Sequence, residues 1–218
     1  MNKSEKKKRL ALIIERLKEV YPVAECALEY GGDAWRLLVM GRLSAQCTDA
    51  RVNIVCRELF EKYPTVYDMA AAPLADIERI IAPCGLFRMK AKNILDASVM
   101  LIERFGGVLP DNMDELLLLP GVGRKIANLL LGDIYGKPAV VCDTHCIRIC
   151  ARLGMYPESQ KDPVKIEKIL RELIEGEDGS DFCHRIVFFG RDVCTARSPA
   201  CERCPLSDLC QKAERDRR

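Results

Sequence analysis

The chain has 218 residues, of which 49% are hydrophobic and 30% charged, and its formal net charge is only +2. This length allows one large core or two modest ones, so we expect one or two domains. With so small a net charge, any attraction to nucleic acid must come from a local basic patch. The sequence contains neither an eighteen-residue apolar run nor a signal peptide, so we expect a soluble, cytoplasmic protein with no membrane partner.

Apolar residues recur at helical spacing along the chain without sustained period-two alternation, which predicts an all-α fold. The first helix is marked by Leu10, Ile13, Ile14, Leu17 and Val20. Further helices are predicted, in chain order, at about 35–43, 49–62, 65–72, 74–82, 88–105, 112–118, 124–135, 144–153, 163–175 and 181–192. Asp162 is expected to cap the helix that opens with Pro163. Gly136-Lys137-Pro138 is the best candidate for a domain boundary.

Four of the twelve cysteines are close together near the end of the sequence and predict one metal site. They are Cys194, Cys201, Cys204 and Cys210, spaced C-x6-C-x2-C-x5-C. Four thiolates suit either a tetrahedral zinc ion or a [4Fe-4S] cluster. Zinc knuckles usually pair two short C-x2-C elements, so the single C-x2-C with long, unequal flanking gaps favours the cluster. Cys142, Cys146 and Cys150 recur at every fourth position and allow either core packing or a second metal site.

A short segment between two predicted helices reads Leu119-Pro120-Gly121-Val122-Gly123. Two glycines spaced by one residue permit a tight turn whose uncovered amides, beside a helix N-terminus, can bind phosphate. A plain turn between helices explains the glycines equally well, but Lys125 nearby favours phosphate. Asp143 opens the next helix and suits a cap. With Lys125, it also suits a pair of nucleophile and carboxylate for attack on a sugar carbon.

These motifs closely resemble the bacterial endonuclease III family of helix-hairpin-helix DNA glycosylases. The resemblance covers residues 119–125, Val141-Cys142-Asp143-Thr144-His145 and the cysteine array, and it runs nearly end to end. It includes two loops, 43–49 and 85–91, that face DNA in the family. It implies a six-helix barrel domain at 27–137, a cluster domain formed by 1–26 and 138–218, and DNA in the cleft between them.

The resemblance also implies roles for individual residues. Lys125 would be the nucleophile that attacks C1′ of a damaged nucleotide and then cleaves the strand through a Schiff base, with Asp143 as its essential carboxylate. Gln46 and Leu86 match two positions that wedge into the duplex when a nucleotide is flipped out. The residues implied to contact DNA are Ser44, Gln46, Leu86, Gly121, Gly123, Arg124 and Arg197. The four cysteines would hold a structural [4Fe-4S] cluster.

The expected function is therefore base excision repair by a monomer that acts on duplex DNA with oxidised pyrimidines or abasic sites. Two other functions compete with it. A monofunctional mismatch glycosylase of the same superfamily generally lacks a lysine at the position of Lys125. A non-catalytic iron-sulfur protein that binds DNA would need neither Lys125 nor Asp143.

Overall fold

The computed structural model describes residues 1–174, 176 and 179–216, and none of them forms a β-strand. The all-α prediction is confirmed. The α-helices are α1 (Lys3–Val20), α2 (Ala34–Leu43), α3 (Asp49–Lys62), α4 (Val66–Ala70), α5 (Leu74–Ile81), α6 (Phe87–Phe105), α7 (Met113–Leu116), α8 (Arg124–Asp133), α9 (Thr144–Arg152), α10 (Pro163–Leu173), α11 (Gly179–Asp192) and α12 (Gln211–Asp216). Short 3₁₀ turns cover Ala82–Cys84 and Cys201–Arg203. Among the helices of the described residues, none has the length and apolarity needed to cross a bilayer.

Capping side chains account for two of the differences between predicted and observed helix ends. Thr65 and Asn112, predicted as helical, instead accept hydrogen bonds from Asp68 N and Glu115 N as N-caps, which places them just outside α4 and α7. The predicted cap is confirmed at Asp162, whose Oδ1 accepts a bond of 2.9 Å from Val164 N.

Three other features depart from the predicted pattern. Val20 ends α1 and is 41% exposed, whereas the other apolar residues that marked this helix are buried. The helix predicted at 163–175 ends at Leu173 in the structure. Residue 175, the last one of the prediction, lies outside the described residues. Helix α12 was not predicted because Gln211–Asp216 carries no apolar face.

The described residues divide into two compact units. The central unit is Cys26–Tyr135 and contains α2 to α8. The terminal unit combines Met1–Glu25 with the described residues from Gly136 onward, and contains α1 and α9 to α12.

In the central unit, α6 packs against α2, α4 and α5. Trp35 of α2 anchors this core: its indole nitrogen donates to Ser98 Oγ of α6 at 3.3 Å, and its ring lies 5.5 Å from that of Phe60. Helix α2 also packs closely on α8 at Gly41, where a methyl group would lie 3.5 Å from Ile126. The start of α8 is thereby fixed to the core.

In the terminal unit, α11 packs against α9 and α1. The approach to α9 is close at Gly190, where a methyl group would lie 2.4 Å from His145 Nδ1. The chain that leaves α1 is tied to α11 by two hydrogen bonds, from Tyr21 Oη to Asp192 Oδ2 and from Arg185 to the carbonyl of Pro22. These contacts support α9, whose N-cap is the predicted catalytic residue Asp143.

Candidate functional site

The turn between α7 and α8 contains the two glycines predicted to bind phosphate, and they differ in character. Gly121 has φ +78°, and a methyl group there would lie 2.8 Å from both Arg42 Nε and Asn93 Cβ, so the fold itself requires glycine. Gly123 has φ −101° and ψ 175°, an ordinary extended conformation, and a methyl group would meet nothing within 4 Å. A ligand that approaches the backbone closely gives a physical reason for this second glycine.

The N-terminus of α8 presents both backbone amides and cationic side chains. Gly123 is the N-cap residue and supplies no side-chain hydrogen bond, so the first amides of the helix and the positive end of its dipole face an incoming anion. Arg124 and Lys125 are the first two helical residues. Lys125 is exposed, while Leu130 one and a half turns further on is fully buried. The amine of Lys125 is therefore carried by a helix whose opposite face is buried in the core.

Asp143 is the N-cap of α9, and its half-buried carboxylate is held by one oxygen. Oδ1 accepts a hydrogen bond of 2.7 Å from Cys146 N. Oδ2 has no hydrogen-bond partner among the described residues. The cap and a chemical role are compatible, because one oxygen orients the group while the other can interact with a substrate. Lys125 belongs to the central unit and Asp143 to the terminal unit.

Gln46 and Leu86, the two predicted wedge residues, share an unusual backbone. They are the only non-glycine residues with positive φ in the described part of the chain, at 55° and 49°. The left-handed conformation costs an L-residue of this size roughly 1–2 kcal/mol. Both side chains are exposed, Leu86 to 52%. Neither strain nor an exposed leucine contributes to stability, so the local geometry favours a role in binding.

Ser44 and Arg197, both predicted to contact DNA, differ in the hydrogen bonds that they make within the protein. Ser44 is the C-cap of α2, and its hydroxyl donates to the carbonyl of Met40 at 2.9 Å, so its proton is already used within the helix. Arg197 is exposed and makes no hydrogen bond or ion pair with the described residues. Its loop is held instead by Arg152, which donates to the carbonyls of Thr195 and Ala196 at 2.7 and 2.8 Å. The loop is thus fixed while its cationic tip stays open.

The four cysteines of the array converge on one apolar cavity beside the ends of α9 and α11. Burial raises the pKa of Cys204 to about 11, and the thiols of Cys194, Cys210 and Cys201 add to that rise, as expected for neighbouring groups. Within the described residues no three His, Cys, Asp or Glu side chains are placed to share a single metal ion. A [4Fe-4S] cluster does not require such sharing, because each thiolate binds a different iron. The donor set and the apolar cavity fit the cluster.

Arg152 contacts the cysteine array and was not singled out in the sequence. Its Nη1 lies 3.3 Å from Cys194 Sγ, and its carbonyl accepts from Cys210 Sγ. Arg148, one turn earlier on α9, donates to the carbonyl of Cys194. The spacing of four residues, which puts both arginines on one helix face, is the signal that could have identified them. Donors and positive charge near a ligating sulfur stabilise its thiolate form.

Cys142, Cys146 and Cys150 lie together in the core of the terminal unit. Hydrogen bonds from Cys142, Cys150 and Cys183 are the largest reasons that the pKa of the Cys146 thiol is raised, ahead of burial. The raised pKa means that Cys146 stays a neutral thiol. Cys146 and Cys150 are buried, and buried thiols pack as small apolar side chains, which favours core packing over a second metal site.

Comparison with known proteins agrees with this geometry. Residues 39–176 match the HhH-GPD superfamily of base excision DNA repair proteins, and residues 194–210 match the iron-sulfur binding domain of endonuclease III. The chain is 43% identical to endonuclease III of Bacillus subtilis, with 95% of this chain and 94% of that protein covered. It is 44% identical to the Synechocystis enzyme, with 96% and 94% covered. A solved structure of a trapped endonuclease III–DNA covalent intermediate superimposes with a TM-score of 0.90 at 41% identity, covering 97% of this chain and 99% of that one.

Cys201 offers a sharp test of the metal centre because its side chain is exposed and contributes little to packing. We expect Cys201→Ser to lose bound iron and the visible absorbance of the cluster, measured by chemical iron analysis and absorption spectroscopy on freshly purified protein. Cys26→Ser, in the central unit, is the matched control and should keep both. Full iron content in Cys201→Ser would remove this residue from the ligand set.

Proposed function

Because the chain belongs to the endonuclease III family of base excision repair enzymes, we propose that Lys125 and Asp143 carry out its chemistry. The protein is a DNA glycosylase and an abasic-site lyase that binds double-stranded DNA and contains a [4Fe-4S] cluster. Its substrates are oxidised pyrimidines, and it acts as a monomer. The observation that carries the assignment of residues is the position of Lys125, an exposed amine at the second residue of a rigid helix with an uncapped N-terminus.

In this proposal the amine of Lys125 attacks C1′ of the damaged nucleotide. The bond from C1′ to the base breaks, and the base leaves with that electron pair and takes up a proton. Opening of the sugar ring gives a protonated imine between Lys125 and C1′. The imine acidifies the hydrogen on C2′, whose removal expels the 3′ phosphate and cuts the strand. Hydrolysis of the imine then frees Lys125.

Asp143 is proposed to support the positive charge that develops on the sugar and to accept a proton. Its Oδ1 is committed to Cys146 N, so Oδ2 is the oxygen that we assign to the substrate. A carboxylate held by its own helix N-terminus keeps its orientation without substrate, which reduces the reorganisation that the reaction requires.

Gln46 and Leu86 are proposed to fill the gap left by the flipped nucleotide. A glutamine amide can hydrogen-bond the orphaned partner base, and a leucine can slide between stacked bases. Their exposed positions and left-handed backbones support this role, since strained residues of this kind cluster at binding sites.

The hairpin and Arg197 are proposed to bind the DNA backbone. The amides near Gly123, the dipole of α8 and Arg124 would hold one phosphate, and the exposed Arg197 would contact another. The hydroxyl of Ser44 donates to its own helix, so a contact of Ser44 with DNA would use it as an acceptor or through its backbone.

The cluster is proposed to act as a structural clasp for the Arg197 loop. Cys194, Cys201, Cys204 and Cys210 would occupy all its coordination positions and leave none for a substrate. We further propose that the two compact units correspond to the barrel domain at 27–137 and the cluster domain at 1–26 and 138–218. The chromosome as substrate would place the protein at the nucleoid in the cytoplasm.

Borohydride trapping tests the role of Lys125. On duplexes that carry thymine glycol or an abasic site, the wild-type protein should form a reduced covalent adduct, because borohydride reduces the imine. Lys125→Ala should form none, while Lys92→Ala, a matched exposed lysine on α6, should trap normally. Equal trapping by Lys125→Ala would exclude Lys125 as the nucleophile. No adduct with the wild-type protein on either duplex would favour the monofunctional or non-catalytic alternatives.

Asp143 can be tested by separating its cap from its chemistry. Asparagine retains the oxygen that accepts from Cys146 N, so Asp143→Asn should keep its thermal stability while the rate of base release falls about a hundredfold or more. Asp143→Ala should also lose about 1 kcal/mol of unfolding free energy. Single-turnover kinetics and denaturation curves provide both values. Loss of activity only in the alanine variant would make Asp143 a cap alone.

Replacement of the two hairpin glycines by alanine is expected to have opposite effects on protein stability and on DNA affinity. Gly123→Ala meets no neighbour and needs no positive φ, so unfolding should be unchanged while affinity for a duplex with a tetrahydrofuran abasic analogue falls about tenfold. Gly121→Ala should destabilise the protein by about 1–3 kcal/mol, because it combines strain with contacts of 2.8 Å. Fluorescence anisotropy and thermal unfolding measure the two effects. Unchanged affinity for Gly123→Ala would contradict phosphate binding at this turn.

A further inference from the structure

A lysine of the central unit is buried completely, with no carboxylate among its hydrogen-bond partners. Lys90 lies in the first turn of α6, and its relative exposure is 0%. Its ammonium donates to the carbonyl of Leu43 at 2.8 Å and to the carbonyl of Cys84 at 2.9 Å. Burial is the main cause that lowers the pKa of Lys90, so the charged form is held at a cost.

Both carbonyls are the last ones of helical segments. Leu43 ends α2, and Cys84 ends the 3₁₀ turn Ala82–Cys84. Terminal carbonyls lack partners within the helix and carry the negative end of its dipole, so they are good acceptors for an ammonium. One nitrogen therefore satisfies two helix ends at once. Because both carbonyls bind the same atom, they are within two hydrogen-bond lengths of each other.

These two helix ends lead directly into the strained loops. Gln46 follows Leu43 by three residues, and Leu86 follows Cys84 by two. Gln46 and Leu86 each have positive φ. The direction of each side chain therefore depends on the position of the helix end that precedes it. Within the described part of the chain, the two non-glycine residues with positive φ thus closely follow the two carbonyls that Lys90 joins.

We propose that Lys90 is a positioning residue that holds the Gln46 and Leu86 loops in register for insertion into the DNA duplex. This inference rests on the proposed wedge roles of Gln46 and Leu86. It adds a residue that touches neither DNA nor the reacting atoms and acts through both loops. A buried apolar side chain of similar length would avoid the desolvation of a charge but could not bind either carbonyl. Fixing the carbonyls of Leu43 and Cys84 close together is therefore a physical reason for a buried ammonium at this position.

The test compares a lesion that must be flipped with one that needs no flipping. Single-turnover release of thymine glycol from a duplex requires the wedge, whereas β-elimination at an abasic site in a single strand does not. Lys90→Met should slow the first reaction about tenfold to a hundredfold, as expected when a reacting group is displaced by an ångström or so. The second should change by less than about twofold. Rates are normalised to the active fraction determined by borohydride trapping.

Two controls separate positioning from general stability. Lys92→Met removes an exposed lysine from the same helix, paired with Asp96 at 2.8 Å, and should leave both rates unchanged. In a Gln46→Ala/Leu86→Ala background, Lys90→Met should have almost no further effect on release of thymine glycol, because the residues through which it acts are gone. If Lys90→Met is insoluble, Lys90→Gln retains a donor for one carbonyl and is tested in the same way.

Several results would overturn the inference. An unchanged rate on the duplex lesion would show that the loops do not need Lys90. Equal losses on both substrates, or an undiminished effect in the wedge-free background, would make Lys90 a residue of general stability. A wild-type protein that releases no thymine glycol overturns the proposed function itself, and that result is known before any variant is compared.

Discussion

The C-terminal end of α2 is the point on which the functional loops of the central unit depend. Arg42 donates to Asn93 Oδ1 of α6 at 2.8 Å, and this pair packs directly against the turn at Gly121. The next carbonyl, that of Leu43, binds the buried ammonium of Lys90. The chain then enters the loop of Gln46. Two consecutive residues thus connect the turn proposed to bind phosphate, the core helix α6 and both strained loops, so a shift of α2 would disturb all of them together.

Features set by local pattern could be predicted from the sequence. Helical periodicity and caps such as Asp162 located the long helices within two residues, and the cysteine spacing predicted a metal site and favoured a cluster over zinc. The left-handed backbones of Gln46 and Leu86 could not be read locally, because nothing in either residue type favours them. Lys90 is in a run with Arg88 and Lys92 that looks solvated. Its burial becomes visible only from helical phase, since it falls on the same face as Ile94 and Ala97.

Several residues here combine a structural and a chemical task. The oxygen of Asp143 that caps α9 also orients the oxygen assigned to the substrate. Arg152 ends the same helix and binds the carbonyls of the Arg197 loop as well as lying against Cys194. Helix α9 therefore links the carboxylate proposed to be catalytic to the cysteine array through one rigid element of the terminal unit. A change in ligation at Cys194 would therefore affect the helix that Asp143 caps.

The left-handed conformation of Leu86 also bears on how this enzyme responds to protein engineering. Its backbone strain and 52% exposed side chain both oppose stability, so replacement by glycine or asparagine would relieve the strain and remove apolar surface from water. Selection for heat resistance alone would therefore enrich substitutions at this position. With the wedge role proposed for Leu86, the resulting variants would be more stable but less active in repair, which makes screening for retained activity necessary in any attempt at thermostabilisation.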